Sequence, residues 1–254
     1  MVRLLLLVCL LGVAHWSHAD EKARAALSIE DLLIAPKQWT LSPSFGLSAG
    51  QMGGSSSAYH NSLNLNYGLT REIALNWQYS SQRSVNNGAR FDASSQALGL
   101  RWRIPTQSAW QWNVSARREI QASHTAAELQ WVRPAYSVAI QTYRFIDPLV
   151  LSSSVTYHSA TRWRVGKSLS PQSRRIQWGV AMDFAVNRVV GLYTSYHASR
   201  ESFNRFAAAP SLRQRLNLGG SYRISADTSL ALTLGFGLAD ESPATLSVQG
   251  RYRF

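Results

Sequence analysis

From Trp39 to Phe254 the apolar residues of this chain recur at every second position, and that period leaves few folds open. Successive side chains of a strand point to opposite faces, so such a segment carries one apolar and one polar face. Leu63, Leu65, Tyr67 and Leu69 alternate with Asn64, Asn66 and Gly68. Leu98, Leu100, Trp102 and Ile104 alternate with Gly99, Arg101 and Arg103. Ile176, Trp178, Val180, Met182 and Phe184 alternate with Gln177, Gly179, Ala181 and Asp183. The pattern predicts about twelve strands, near 39–48, 61–69, 73–81, 94–104, 110–120, 130–145, 149–158, 175–186, 189–198, 213–224, 229–238 and 244–254. The sixth contains Arg133-Pro134 and is read as one strand with a bend, because proline cannot donate to the ladder.

Alternation alone fits a soluble sandwich as well as a membrane barrel. Three features favour lipid. The segments run to about 9–11 residues, the length of a tilted transmembrane strand, where globular strands average about 5–6. Their polar face is built from Asn, Gln, Ser and Arg, which suits an enclosed wet lumen. Aromatic residues gather near segment ends, at Trp39, Trp77, Tyr79, Trp110, Tyr157, Tyr222 and Tyr252, where interfacial girdles would lie. Short links (70–72, 105–109, 146–148, 187–188, 225–228) alternate with mostly longer ones (49–60, 82–93, 121–129, 159–174, 199–212), as periplasmic turns alternate with extracellular loops. The expectation is an all-β, antiparallel, up-and-down transmembrane β-barrel in the cell outer membrane of a Gram-negative bacterium.

The beginning of the chain reads as an export signal. Arg3 supplies the positive n-region, residues 4–13 are apolar, and Ser17-His18-Ala19 offers a cleavage site after Ala19. The apolar run is too short for a spanning helix, which needs about 20 residues. Cys9, the single cysteine, lies inside this run, so the remainder has no disulfide, thiol nucleophile or thiolate metal site. The domain reading is therefore a signal peptide at 1–19, a periplasmic leader at 20–38 with a short helical stretch ending near Pro36, and the barrel at 39–254. The leader is either a loosely packed segment or a plug or docking element for a partner.

At the other end, Leu246, Val248, Gly250, Tyr252 and Phe254 alternate up to a terminal aromatic. A last strand of this kind can pair through its backbone edge and close the barrel, as hydrocarbon demands. The pattern resembles the C-terminal signal that the barrel-assembly machinery reads, with Tyr252 and Phe254 carrying it. More broadly, residues 29–47 with Leu32-Leu33, Pro36 and Pro43-Ser44-Phe45-Gly46 resemble the opening of some outer-membrane transporters. So do residues 145–151, Phe184-Ala185-Val186-Asn187 and the closing Gln249-Gly250-Arg251-Tyr252-Arg253-Phe254. Those transporters belong to the phenol meta-pathway (MetA-type) barrel family. The resemblance implies an outer-membrane barrel with a transport role and no catalytic motif.

The positive charge, formally +12, comes almost wholly from arginines, several of them on the polar faces of strands. By phase Arg101, Arg103, Arg117, Arg175, Arg215, Arg223, Arg251 and Arg253 point inward, opposite inward Asp183. Rings of arginine set anion preference in pores, and the competing role is to brace the lumen. Arg162, Arg164, Lys167, Arg174, Arg200 and Arg205 lie in or near outer loops, where they could pair with lipopolysaccharide phosphates. Export and the strand-borne spacing disfavour nucleic acid as the partner.

Enzymatic chemistry finds little to stand on. His60, His124, His158 and His197 are the histidines beyond the signal; His158 and His197 fall at outer strand ends with Ser154, Ser195 and Ser199 nearby. No acidic residue is evidently placed to orient either imidazole as a hydrolase would require. No spacing suggests a metal or cofactor, and Asp240-Glu241 reads as a solvated loop. The sequence therefore favours a narrow passive channel for small anionic or aromatic solutes, and not an enzyme. A lipid-modifying hydrolase and a structural or export barrel for a secreted partner stand as alternatives.

Overall fold

A computed structural model describes residues 35–51, 55–86, 89–125, 128–161, 164–165, 168–169, 173–203, 211–238 and 244–254. The expected signal segment and the leader as far as Ile34 lie outside these residues. So do Arg162, Lys167, Arg205, Asp240 and Glu241, and of Arg164 and His124 only the backbone is described.

Twelve strands form the barrel: β1 (Trp39–Gln51), β2 (Ser55–Gly68), β3 (Ile73–Asn86), β4 (Ala89–Ile104), β5 (Trp110–Thr125), β6 (Glu128–Ile146), β7 (Leu149–Ala160), β8 (Ser173–Ala185), β9 (Val190–Phe203), β10 (Ser211–Arg223), β11 (Thr228–Gly237) and β12 (Ala244–Arg253). Each pairs antiparallel with its neighbour in sequence, and β1 pairs with β12 to close the cylinder. The seam is tied at its end by reciprocal backbone bonds, Trp39 N–H to Phe254 O at 2.9 Å and Phe254 N–H to Trp39 O at 3.1 Å. A small separate hairpin, Arg164–Val165 with Ser168–Leu169, lies in the β7–β8 link.

The molecule is built inside out. Among the described residues Val150 is the largest fully buried side chain, and the other buried apolar residues are alanines. Outside, the apolar faces stand open, with Leu98 68% exposed and Val180 55% exposed. Along β8 the alternation is complete: every second residue from Arg174 to Phe184 is exposed and those between are not. In water such a surface would forfeit roughly 1.5–3 kcal/mol for each large apolar side chain. A closed barrel also leaves no strand edge unpaired, which is the condition for lying in hydrocarbon. Together these make the chain a membrane-spanning barrel. The aromatics flank the apolar belt, with Tyr59, Tyr79, Tyr136 and Tyr157 toward one end and Trp39, Trp102, Trp112, Tyr222 and Tyr252 toward the other.

The strands are longer than the alternation alone predicts. The expected loops at 49–60, 82–93 and 121–129 are mostly strand, leaving links of 52–54, 87–88 and 126–127. Above the membrane both faces meet water, so the side-chain period fades through Ser80, Ser81, Gln82, Arg83 and Ser84 while the backbone ladder continues. β6 is one strand, as expected. The irregularity lies at Gln130 of β6, which is skipped between the pairs Ser123–Trp131 and His124–Leu129, and Pro134 keeps its register opposite Ile120. Pro134 is tolerated because β7 ends beside it: its carbonyl accepts from the Thr161 N–H at 3.1 Å, and its missing N–H faces the same side, past the last paired residue.

The links at 69–72, 105–109, 147–148, 186–189 and 224–227 share one end of the barrel with Trp39 and Phe254. Ala35 to Gln38 closes a turn at this rim, with the Gln38 N–H bonded to Ala35 O at 3.1 Å and Lys37 at φ 63°. That end is the periplasmic one: none of its links exceeds five residues, whereas the other end also carries the long links 161–172, 204–210 and 238–243.

Candidate functional site: a two-chambered lumen

Register decides which polar side chains become neighbours inside the barrel. Ser44 of β1 pairs with Ser62 of β2, Ser62 with Ser80 of β3, Ser80 with Ser95 of β4, and Ser95 with Gln121 of β5. All five face inward. Two hydroxyl–hydroxyl bonds run along this row, Ser44 to Ser62 and Ser80 to Ser95, each at 2.7 Å. The row lines a cavity of about 510 Å³ that also meets His60, Gln78, Gln82 and Glu119. Apart from the Glu119 carboxylate its wall is uncharged hydroxyl, amide and imidazole, rich in both donors and acceptors.

A second cavity of about 280 Å³ is lined by Arg101, Arg117 and Arg175 with Asn76, Gln141, Thr156, His158 and Gln177. Arg117 is held toward the first chamber by a bond from its Nη1 to Gln78 Oε1 at 2.6 Å. Glu119 lines both cavities and so stands at their boundary. Its Oε2 lies 3.5 Å from His158 Nε2, and Gln121 Nε2 donates to its Oε1 at 3.1 Å. The pair reaches from β5 to β7 across β6. Ala135, opposite Glu119 in register and fully buried, is small enough to let the two side chains meet above it. This corrects the sequence reading, which found no acid placed to face His158. Register brings Glu119 there from a distant segment, and no local motif records it.

The facing wall has its own basic group. Arg215 pairs with His197 in register, and its charge acts on both His197 and His60. The two imidazoles are packed against glycines. A Cβ at Gly46 would fall 2.1 Å from the His60 ring, and one at Gly179 would fall 2.4 Å from His197 Nδ1. Tyr193 uses the same device: its ring crosses Gly219 of β10, and its hydroxyl hydrogen-bonds Thr233 of β11. Glycine is required at these sites because a large inward side chain of the next strand occupies the space a Cβ would fill.

The remaining predicted residues sit lower. Arg103 borders a small recess with Arg101, Thr70 and Glu72 at the periplasmic rim. Asp183 pairs with Tyr193 in register, and its charge acts on that phenol. Arg223 and Arg251 both pair with Ser229, which places them on either side of β11. Tyr252 and Phe254 face outward, with ring centroids 5.7 Å apart. The arrangement thus brings Arg101, Arg117 and Arg175 into one chamber, sets Arg215 on the other wall, and leaves Arg103, Arg223, Arg251 and Asp183 toward the periplasmic mouth.

Hydrolytic chemistry gains one cluster and no complete triad. His197 Nε2 lies 3.1 Å from Ser195 Oγ, which also accepts from Asn217 Nδ2 at 3.1 Å. His197 Nδ1 meets no hydrogen-bond partner among the described residues, so no third group orients the ring. Ser195 also faces the lumen, away from the lipid. Among the described residues no group of His, Cys, Asp or Glu could hold a metal ion.

No family model matches the chain, and no curated protein matches its sequence. Solved structures do. An outer-membrane channel from Pseudomonas putida is similar with a TM-score of 0.65 at 14% identity, over 88% of this chain and 98% of that one. The translocator domain of the autotransporter NalP from Neisseria meningitidis gives 0.55 at 12% identity, over 93% of this chain and 96% of that one. The NanC porin gives 0.54 at 12% identity, over 84% of this chain and 98% of that one. At such identities the likeness is one of fold. The chain is, in architecture, a twelve-stranded outer-membrane β-barrel of the kind shared by channels, porins and autotransporter translocators.

Proposed function

We propose that this barrel is a narrow passive channel for small hydrophilic solutes, with anions favoured over cations. The observation that carries the reading is the pair of adjoining lumenal chambers, one lined by serine hydroxyls and glutamines and the other by Arg101, Arg117 and Arg175. A solute moving between them exchanges its water for hydroxyls, passes Glu119, and meets three guanidinium groups. Arginine presents a rigid fork of donors that matches carboxylate and phosphate geometry, so an anionic group gains most there. Inward Arg215, Arg223 and Arg251, set against Asp183, extend the positive lining.

The P. putida channel and the NanC porin support a channel reading by their fold and their printed names. The resemblance to the phenol meta-pathway barrels supports a transport role as well. The lumen narrows the solute class within that resemblance. Its described walls offer hydroxyl, amide and guanidinium groups, and the Tyr193 and histidine rings lie against glycines. Hydrophilic anions therefore fit this lining better than apolar aromatic solutes do.

The test is conductance of the purified barrel in a planar bilayer under a salt gradient. We expect open-channel current with a reversal potential on the chloride side. Substituting Arg101, Arg117 and Arg175 by Ala should move that potential toward zero. No conductance, even after removal of residues 20–38, or a reversal potential unmoved by the triple substitution, would overturn the reading.

A further inference from the structure

We infer that the outer surface carries a binding site for a lipid phosphate, formed by Arg174 of β8 and Arg200 of β9 and fitted to lipid A of the outer leaflet. Both arginines are exposed and lie on the face that carries the apolar belt, in phase with Ile176, Trp178 and Val180 on β8. Arg200 is paired with Ile176, and Arg174 with Ser202, so the two arginines are diagonal neighbours across one strand pair. Diagonal positions of this kind lie roughly 7–8 Å apart, within reach of a single bridging phosphate for side chains as long as arginine. Ser159 of β7, opposite Arg174, and Ser202 add hydroxyls to the same row.

Height along the barrel fixes what surrounds them. Arg174 is eleven residues from Ala185, the periplasmic end of β8. At about 3.4 Å per residue and a tilt of about 40°, that is a rise of roughly 28 Å. The apolar band of such barrels is about 25 Å tall, so the pair stands at the outer interface, just above the acyl chains. Arg174 and Arg200 meet no carboxylate within ion-pair distance among the described residues. Arg83 makes the contrast: at the same end of the barrel, it is tied to Asp92 with Nε to Oδ1 at 3.1 Å. Two guanidiniums with no carboxylate partner among the described residues, set above an apolar wall, complement a ligand with a phosphate head and acyl chains. Lipid A in the outer leaflet has both. The site is outward and separate from the lumen, so it stands or falls independently of the channel.

The experiment uses the full barrel in nanodiscs of phosphatidylethanolamine doped with bis-phosphorylated lipid A, with bound lipid counted by native mass spectrometry. We expect wild type to retain lipid A, and Arg174→Gln with Arg200→Gln to retain at least tenfold less. Arg83→Gln should bind as wild type does. Lipid A stripped of its phosphates should not compete. Heat-modifiable gel mobility and an unchanged circular-dichroism spectrum verify that each variant is folded; should the double variant not fold, each single substitution should still lower retention severalfold. Equal retention by wild type and the folded variants would overturn the proposal. So would equal competition by dephosphorylated lipid A or by phosphatidylglycerol, which would mark a purely apolar or a general anionic-lipid surface.

Discussion

His158 Nε2 lies 3.5 Å from Glu119 Oε2, across an intervening strand and at the boundary between the two lumenal chambers. Glu119 is part of the lining of the arginine-bearing chamber, so it opposes the charge that Arg101, Arg117 and Arg175 supply. It also ties β5 to β7 over Ala135.

Glu119→Gln should therefore strengthen anion preference while keeping the bond with Gln121 geometrically possible. A unit charge a few ångströms from a passing ion is worth about 1 kcal/mol in water. The chloride-to-potassium permeability ratio should rise by up to about fivefold, as read from reversal potentials under a salt gradient. A fall in the ratio would show that the carboxylate is not facing the permeating ions.

Gly46 and His60 form a second dependent pair. A methyl at Gly46 would sit 2.1 Å from the imidazole, so Gly46→Ala should destabilise the barrel by about 1–3 kcal/mol. Adding His60→Ala should restore most of that loss, because it vacates the space. Urea midpoints of the refolded protein in detergent measure both. Loss without rescue would mean that the ring does not occupy the glycine's place.

Gly219→Ala should be harder to rescue. Its Cβ would meet the Tyr193 ring at 2.3 Å and also the backbone carbonyl of Leu232 at 2.6 Å. Tyr193→Phe should remove only the bond to Thr233, at a cost of about 0.5–1.5 kcal/mol. Tyr193→Ala in the Gly219→Ala background should recover only part of the stability, in the same urea titration.

At the seam, the reciprocal bonds between Trp39 and Phe254 are backbone bonds, whereas the outward stack of Tyr252 and Phe254 belongs to the side chains. Phe254→Ala keeps the first and removes the second. If Tyr252 and Phe254 serve as the barrel-assembly signal, this variant should refold in detergent like wild type but reach the outer membrane in severalfold lower yield. Heat-modifiable mobility of membrane fractions against purified protein separates the two effects.

Lys37 holds φ 63° in the turn from Ala35 to Gln38, a conformation that favours glycine. Lys37→Gly should relieve roughly 1 kcal/mol of strain. A small rise in the urea midpoint is expected, with conductance unaltered.

The sequence alone determined the apolar belt, the polar lining and the strand number. Alternation is a property of each strand taken singly: Leu98, Leu100 and Trp102 must leave the face that Arg101 and Arg103 enter, whatever lies alongside. The inward phase of the arginines was legible for the same reason. Strand ends were not, because beyond the membrane water covers both faces and a residue such as Ser81 carries no phase. Neighbourhood within the lumen was decided only by the tertiary structure. Glu119 meets His158, and Ser44, Ser62, Ser80 and Ser95 form one row, because the register between strands slides each segment to a definite height. Register depends on backbone pairing between distant segments, and no single segment records it. The same holds for Arg174 and Arg200, which the sequence placed near outer loops and the β8–β9 pairing set side by side on the lipid face.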